Sequence, residues 1–266
     1  MIIGNTKEIS EIEIKKRIEL DLKLAQHEFY ILFQPISWLG SINKPWGFEA
    51  LVRWSNPFNI GPSVFIPITE KEPMLRRKLT RLVTRLVIDN IRLFIRKETR
   101  VTYFTMNVSF DDLNDSNYVD ELKSMLCEAP YIAHRLFLEV TETKKIIMTD
   151  AFMKSITTLK NLGVRFALDD LGSGFADQDA LKLPIWSIVK IDRSQVCEIG
   201  SSDSSLDSLT DLLDNCFSLT PYVVIEGVEL ARQHFTLKWS LNNDVLVQGF
   251  YYAKPMSSSI ILARYY

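Results

Sequence analysis

The sequence predicts an α/β fold: eight short strands alternating with helices and closing into a modified, TIM-like (β/α)8 barrel, a single domain with one strand antiparallel. Three observations carry that expectation. Strand-like apolar runs alternate with stretches of helical period along the chain, the pattern of parallel strands joined by crossover helices. The 266 residues, 47% hydrophobic and 24% charged, suit one large core, and a barrel of about 250 residues would use nearly all of them. The first two runs follow one another with no helix between Ile36 and Gly47, so one of the pair is expected to run against the rest.

The elements follow in order. Ile14 to Gln26 carries apolar residues at helical spacing (Ile14, Ile18, Leu22, Leu24) and feeds a first strand, Phe29 to Ile36. A second strand, Gly47 to Trp54, precedes a helix over Met74 to Lys97; Val101 to Val108 precedes Asn117 to Cys127; Leu136 to Thr141 precedes Ala151 to Leu162. Val164 to Leu168 then leads to Asp177 to Lys182, Ser187 to Ile191 to Leu206 to Phe217, and Tyr222 to Ile225 to Ala231 to Leu241, before a last strand at Val245 to Val247. A polar patch, Gly200 to Ser205, reads as a loop tip. The domain is expected over residues 14–266, behind a short extension of residues 1–13.

Composition narrows the function. Lys plus Arg total 31 against 33 Asp plus Glu, a net charge of -2, so no whole-chain basic field exists to gather a nucleic acid polymer. The cysteines Cys127, Cys197 and Cys216 are odd in number and lack metal-ligand spacing, which argues against a disulfide framework and fits a reducing cytoplasm. The first seventeen residues mix Glu and Lys into every turn, and no later run approaches a membrane span, so neither export nor insertion is expected.

The chemistry is expected where the strands end. Glu49 lies in the second run, Asn107 ends the third, Glu139 sits in the fourth, Asp169 and Asp170 end the fifth, Lys190 and Asp192 end the sixth, Glu226 the seventh and Gln248 the last. In a barrel these positions share one mouth. Converging carboxylates repel unless a counter-charge joins them, and all-oxygen ligation suits hard ions such as Mg²⁺ or Mn²⁺ rather than zinc. The histidines, His27, His134 and His234, sit away from these ends and read as surface or helix residues. Each acid alone also has a plain structural reading: Glu139 as an ion-pair partner, Asp169-Asp170 or Asp192 as helix caps, Gly172-Ser173-Gly174 as a turn rather than a phosphate cradle. Their repetition favours a site, since buried acids are expensive unless one needs them.

Taken together, the motifs resemble the EAL family of cyclic-di-GMP phosphodiesterases. Phe48-Glu49-Ala50-Leu51-Val52-Arg53-Trp54 follows Phe33-Gln34-Pro35-Ile36 and precedes Phe65-Ile66-Pro67. Met106-Asn107-Val108-Ser109, Leu138-Glu139-Val140-Thr141-Glu142, Asp169-Asp170-Leu171-Gly172-Ser173-Gly174, Lys190-Ile191-Asp192-Arg193-Ser194, Glu226-Gly227-Val228-Glu229, Gln248-Gly249-Phe250 and Lys254-Pro255-Met256 complete the set. The resemblance implies hydrolysis of the bacterial second messenger to linear 5′-pGpG with two Mg²⁺ or Mn²⁺ ions. It implies Glu49, Asn107, Glu139, Asp169 and Asp170 as metal ligands, with Glu226 helping at the second ion and serving as general base, and Lys190 orienting the nucleophile and offsetting charge on the transition state. Gln34, Leu51, Arg53, Asp192, Glu229 and Gln248 would contact substrate, and Glu142 would hold the loop after Asp170. It further implies a homodimer and a part in biofilm or motility control. The chain departs from the family's usual pattern at Leu171, Phe175, Ala176 and Asp177. Those departures motivate a second reading, a catalytically weak domain acting as a cyclic-di-GMP receptor or protein-interaction module.

Overall fold

Eight strands close into a barrel in chain order: β1 (Phe29–Trp38), β2 (Ser41–Trp54), β3 (Tyr103–Ser109), β4 (Leu136–Thr141), β5 (Arg165–Leu171), β6 (Trp186–Ile191), β7 (Tyr222–Ile225) and β8 (Leu246–Val247). The computed structural model describes residues 9–97, 103–141, 148–173, 178–201, 203–242 and 244–266. Strands β2 to β8 are mutually parallel, while β1 pairs antiparallel with β8 through Ser37↔Val247 and Trp38↔Leu246. The odd strand is thus β1, because the Leu39-Gly40 link to β2 is far too short for a crossover.

The helices are α1 (Glu11–Leu24) before the barrel, α2 (Pro62–Glu70) and α3 (Pro73–Arg96) after β2, and α4 (Phe110–Leu113), α5 (Ser116–Cys127) and α6 (Pro130–Ala133) after β3. Then come α7 (Asp150–Asn161), α8 (Gln178–Leu181), α9 (Asp203–Leu219), α10 (Ala231–Ser240) and, after β8, α11 (Ser258–Tyr265). Helix α1 starts where Ser10 and Glu13 form a capping box, and it buries Ile14, Ile18 and Leu22. Leu24, read from its spacing as part of that apolar face, is instead exposed at the helix end. Helices α2, α4, α6 and α11 lie outside the sequence expectation. Helix α2 carries Pro62 in its first turn, where a missing N–H costs nothing, and Pro67 near its end; α11 is a short terminal helix capped by Ser257. The patch read as a loop tip also ends early, since α9 begins at Asp203.

The chain divides into two compact units: residues up to Ile31 with Val52–Leu86, and Leu32–Leu51 with Val87–Tyr266. In the first, Phe29 stacks on Trp54 at 5.8 Å and Phe65 meets Trp54 edge-on at 5.7 Å. Asp21 is buried beside them, accepting a 2.9 Å bond from the Trp54 indole N–H and another of 2.9 Å from Arg17. This is a buried acid with a structural use alone.

The second unit holds the barrel interior. Ile36, Trp46, Phe137, Ala167, Ile188, Val224 and Leu246 form one apolar layer, drawn from nearly every strand. Trp46 fills its centre, 4.6 Å from the Tyr103 ring and 5.7 Å from Phe137. Side chains two apart on a strand share a face. The residues next up on the interior face are therefore Glu139, Asp169, Lys190, Glu226 and Gln248, each two after its layer residue on β4 to β8. On the reversed β1 the counting runs backwards, from Ile36 to Gln34. An apolar floor thus lies directly beneath a polar storey.

Candidate active site

The polar storey is assembled around a lysine. Lys190 is 1% exposed, yet its ammonium lies 2.7 Å from Glu226, 3.1 Å from both Glu139 and Asp169, and 3.6 Å from Glu49. Glu49, Glu139 and Asp169 are themselves buried. Two amides tie the ring together: Asn107 donates to Glu49 Oε1 at 3.3 Å, and Gln248 donates to Glu49 Oε2 at 2.6 Å. Because Asn107 turns its nitrogen to Glu49, its amide oxygen faces away as a potential ligand atom.

The electrostatics are set by burial against a dry floor. Desolvation holds Glu139 well above the usual carboxylate range, raises Asp169, and lifts Glu226 to about 8 and Asp170 to about 6, with Lys190 opposing each of these. Neighbouring carboxylates add to every one of these rises. Burial is also the largest single influence on Lys190 and pulls it down, but the surrounding acids together outweigh it and raise it well above its ordinary value. Lys190 is therefore a fixed cation.

A bulge brings in an extra acid. Between Leu168↔Val189 and Leu171↔Ile191, β5 advances three residues while β6 advances two. Adjacent strand residues normally face opposite ways. Here Asp170 takes a left-handed backbone, φ 56°, and both Asp169 and Asp170 line the same pocket. Carboxylate oxygens of Asp169, Asp170 and Glu226 all lie within 4.8 Å of one another.

That arrangement fits a hard divalent cation. Five carboxyls (Glu49, Glu139, Asp169, Asp170, Glu226) share the site with one ammonium, which lies 3.1 Å from Glu139 Oε1 and Asp169 Oδ1, while Glu139 Oε2 and Gln248 Oε1 are buried without a hydrogen bond. Buried acceptors are normally satisfied, so a deficit of this size calls for a cation. The donors are all oxygens, which favours Mg²⁺ or Mn²⁺ over softer ions.

The pocket above has a volume of about 310 Å³, within the range of small-molecule clefts. Gln34, Glu49, Leu51, Asp169, Asp170, Lys190, Asp192, Glu226, Glu229 and Gln248 all line it, as do Arg193, Gly227, Gly249 and Phe250, to which the sequence reading gave no role. The last three follow Glu226 or Gln248 in the chain, so adjacency to a strand-end acid or amide is the signal that could have found them. Several residues expected on the substrate are also engaged with the protein. Gln34 donates to the Ala253 carbonyl at 3.2 Å, Gln248 holds Glu49, and Asp192 caps the turn after β6 by accepting from Ser194 N at 2.9 Å. Asn107 and Glu139 join through Glu49 and Lys190 rather than as lining residues. Arg53 belongs to the first unit, where it donates to the Val52 carbonyl at 2.9 Å. Glu142 and the loop from Gly174 to Asp177 lie outside the described residues. His27 and His134 are exposed; His234 is buried on α10, 3.1 Å from the Tyr252 hydroxyl. No described helix is long and apolar enough to cross a membrane.

Comparison with known proteins points the same way as the geometry. A family model described as "EAL domain" matches residues 17–255. The chain is 31% identical over 249 residues to the probable cyclic di-GMP phosphodiesterase PdeD of Escherichia coli strain K12, aligning 90% of this chain with 43% of that protein. It is 29% identical over 248 residues to the cyclic di-GMP phosphodiesterase NbdA of Pseudomonas aeruginosa, aligning 92% of this chain with 31% of that one. The chain therefore spans less than half the length of these two relatives. Among solved structures, the PaMucR phosphodiesterase in complex with c-di-GMP superposes with a TM-score of 0.79 at 25% identity, covering 92% of this chain and 99% of that one. The EAL enzyme Bd1971 in its cGMP-bound form reaches 0.83 at 24% identity over 96% of this chain and 70% of that one, which shows the shared fold.

Proposed function

Because the chain belongs to the EAL domain family, we propose that it is a metal-dependent phosphodiesterase that hydrolyses cyclic-di-GMP to linear 5′-pGpG. The observation that carries this reading is the ring of four carboxyls around one buried lysine, with Asp170 beside Asp169 and Glu226, at the floor of a ligand-sized pocket. Glu49, Asn107, Glu139 and Asp169 would hold one Mg²⁺ or Mn²⁺ ion, and Asp169, Asp170 and Glu226 a second. Bound there, such ions polarise phosphoryl oxygens and make water a stronger nucleophile near neutral pH.

The chain's own groups do the rest. Glu226 is the general base: burial raises it to about 8 in the metal-free site, and added positive charge beside it would bring it down toward neutrality, where a base works best. It takes a proton from the attacking water while the water oxygen bonds to phosphorus and the P–O3′ bond breaks; the 3′ oxygen leaves as an alkoxide that takes a proton from solvent water, and Glu226 later returns its proton to solvent. Lys190, 2.7 Å from Glu226, keeps its own proton, fixes the base and offsets negative charge on the phosphoryl group. Gln34, Leu51, Asp192, Glu229 and Gln248 line the walls that would receive the nucleotide. We take residues 14–266 as the catalytic domain and a homodimer as its working form, on the strength of the family resemblance.

The test is direct. Purified protein incubated with cyclic-di-GMP and Mg²⁺ or Mn²⁺ should yield linear 5′-pGpG on chromatography, and Glu226→Gln should lower turnover by about a hundredfold or more. Unchanged nucleotide from folded, metal-loaded protein would reject the assignment. Tight binding without hydrolysis would favour the receptor reading.

A further inference from the structure

Asp170 sits in a conformation that a side chain disfavours, and something must hold it there. Its φ of 56° and the 93° of Gly172 put two left-handed residues on either side of Leu171. A non-glycine residue in that region costs about 1 kcal/mol or more and persists only where neighbours over-determine it. The turn closes on itself through Ser173 N to Asp170 O at 3.1 Å. Its other ties come from the segment after β6. Asp192 N donates to Leu171 O at 3.0 Å, and the Gln195 side-chain amide donates to Gly172 O at 2.8 Å, with Ser194 Oγ a longer second donor at 3.4 Å. Gln195 also packs against Gly172 so closely that a Cβ there would meet its Cγ at 2.8 Å.

We propose that Gln195 is a positioning residue for the metal site: its amide clamps the Gly172 carbonyl, which holds the Asp169–Asp170 bulge in the one geometry that turns both carboxylates to the pocket. The inference rests on the metal-dependent reading above for its consequence, though not for the clamp itself. Gln195 does not itself line the pocket or join the lysine ring, although its N–H bonds the carbonyl of Asp192, which lines the pocket, at 3.0 Å. A lost clamp lets Asp170 relax to an ordinary backbone, which swings its carboxylate off the position shared with Asp169 and Glu226. No other side chain approaches Gly172 O as closely as Gln195 among the described residues.

Three variants test it: Gln195→Met, of similar size without a donor; Gln195→Glu, which places a carboxylate against a carbonyl; and Gln195→Lys, which restores an N–H donor of comparable reach. Amide hydrogen exchange over Asp169 to Ser173, measured without added metal, should speed up about tenfold in the Met and Glu variants and return toward wild type in the Lys variant. Calorimetric titration with Mn²⁺ should show about tenfold weaker binding in the Met and Glu variants. Unchanged exchange overturns the clamp, and faster exchange with unaltered Mn²⁺ affinity overturns its positioning role. A wild type that binds Mn²⁺ without turning over cyclic-di-GMP would reject the proposed reaction and leave this inference standing; one that binds no Mn²⁺ would reject both.

Discussion

Replacing Lys190 with methionine removes a charge and keeps nearly the same shape, so the effect isolates electrostatics. In the metal-free protein, four carboxylates within 3.6 Å of its nitrogen would then face an apolar thioether and one another. A unit pair at such range is worth about 4 kcal/mol at the effective dielectric of a protein interior. Removing one partner of a buried ion pair destabilises by about 3–5 kcal/mol, because the remaining charges keep their desolvation penalty. For a chain of this size the melting temperature should drop by roughly 10 °C. The acids have an escape, which is to bind protons. The loss should therefore be largest near pH 8 and shrink toward pH 5 as Glu226, raised to about 8, becomes neutral. Guanidinium titrations followed by circular dichroism in the presence of EDTA would measure it. Restoring stability with Lys190→Met/Glu139→Gln would confirm repulsion as the cause. A Lys190→Met protein as stable as wild type at both pH values would refute the view that this lysine balances the ring.

Three further outcomes are expected. Desolvation raises Glu226 to about 8 and Asp170 to about 6, so the folded chain binds protons more tightly than the unfolded one; that stabilisation is complete near about pH 4 and fades as pH rises through about 6 and then 8. Denaturation in EDTA should thus show stability falling from about pH 5 to pH 8, with Mn²⁺ restoring it most at the upper end, and a rising profile would contradict this. Gln248→Leu frees Glu49 from its 2.6 Å amide bond and should weaken Mn²⁺ binding about tenfold to a hundredfold by calorimetry; unaltered affinity would show that Glu49 needs no such support. In the first unit, Asp21→Leu strands the Trp54 indole N–H and Arg17 and should lower unfolding free energy by about 2 kcal/mol, with an unchanged denaturation midpoint counting against it.

Much of this was legible in the chain because the barrel imposes a period of two. Ala167 and Asp169, Ile188 and Lys190, Val224 and Glu226, Leu246 and Gln248 each pair an apolar layer residue with a polar one two places on, and that rhythm survives in sequence. The missing helix between Ile36 and Gly47 equally announced the reversed strand. What stayed hidden depends on distance in the chain or on backbone detail. That Gln248 spends its amide on Glu49 cannot be read from either motif alone, and the same holds for Gln195 and Gly172. The bulge at Asp169–Asp170 left no mark beyond two adjacent acids, which would serve as well for a helix cap. Trp46 was missed as part of the layer because β2 was started at Gly47, six residues after its first residue, Ser41. Helix α2 escaped because its two prolines, 62 and 67, interrupt any helical rhythm, although the first lies where helices accept one.

The closing strand has a bearing on how the molecule behaves in time. Strand β8 is only two residues long, and with the Phe33↔Met256 bridge beyond it, it joins β7 to β1, through Ser37 and Trp38 on one side and Val224 and Ile225 on the other. The contacts with β1 unite segments some two hundred positions apart, and pairings of that separation are among the slowest to form in folding. The barrel can thus acquire most of its secondary structure while its seam is still open. Until the seam shuts, Gln248 cannot reach Glu49 and the ring lacks a member. Later, in the native state, a brief parting at the same place would disable the site without melting the rest. Maturation of the site and its most accessible route to inactivation are then one event run in opposite directions.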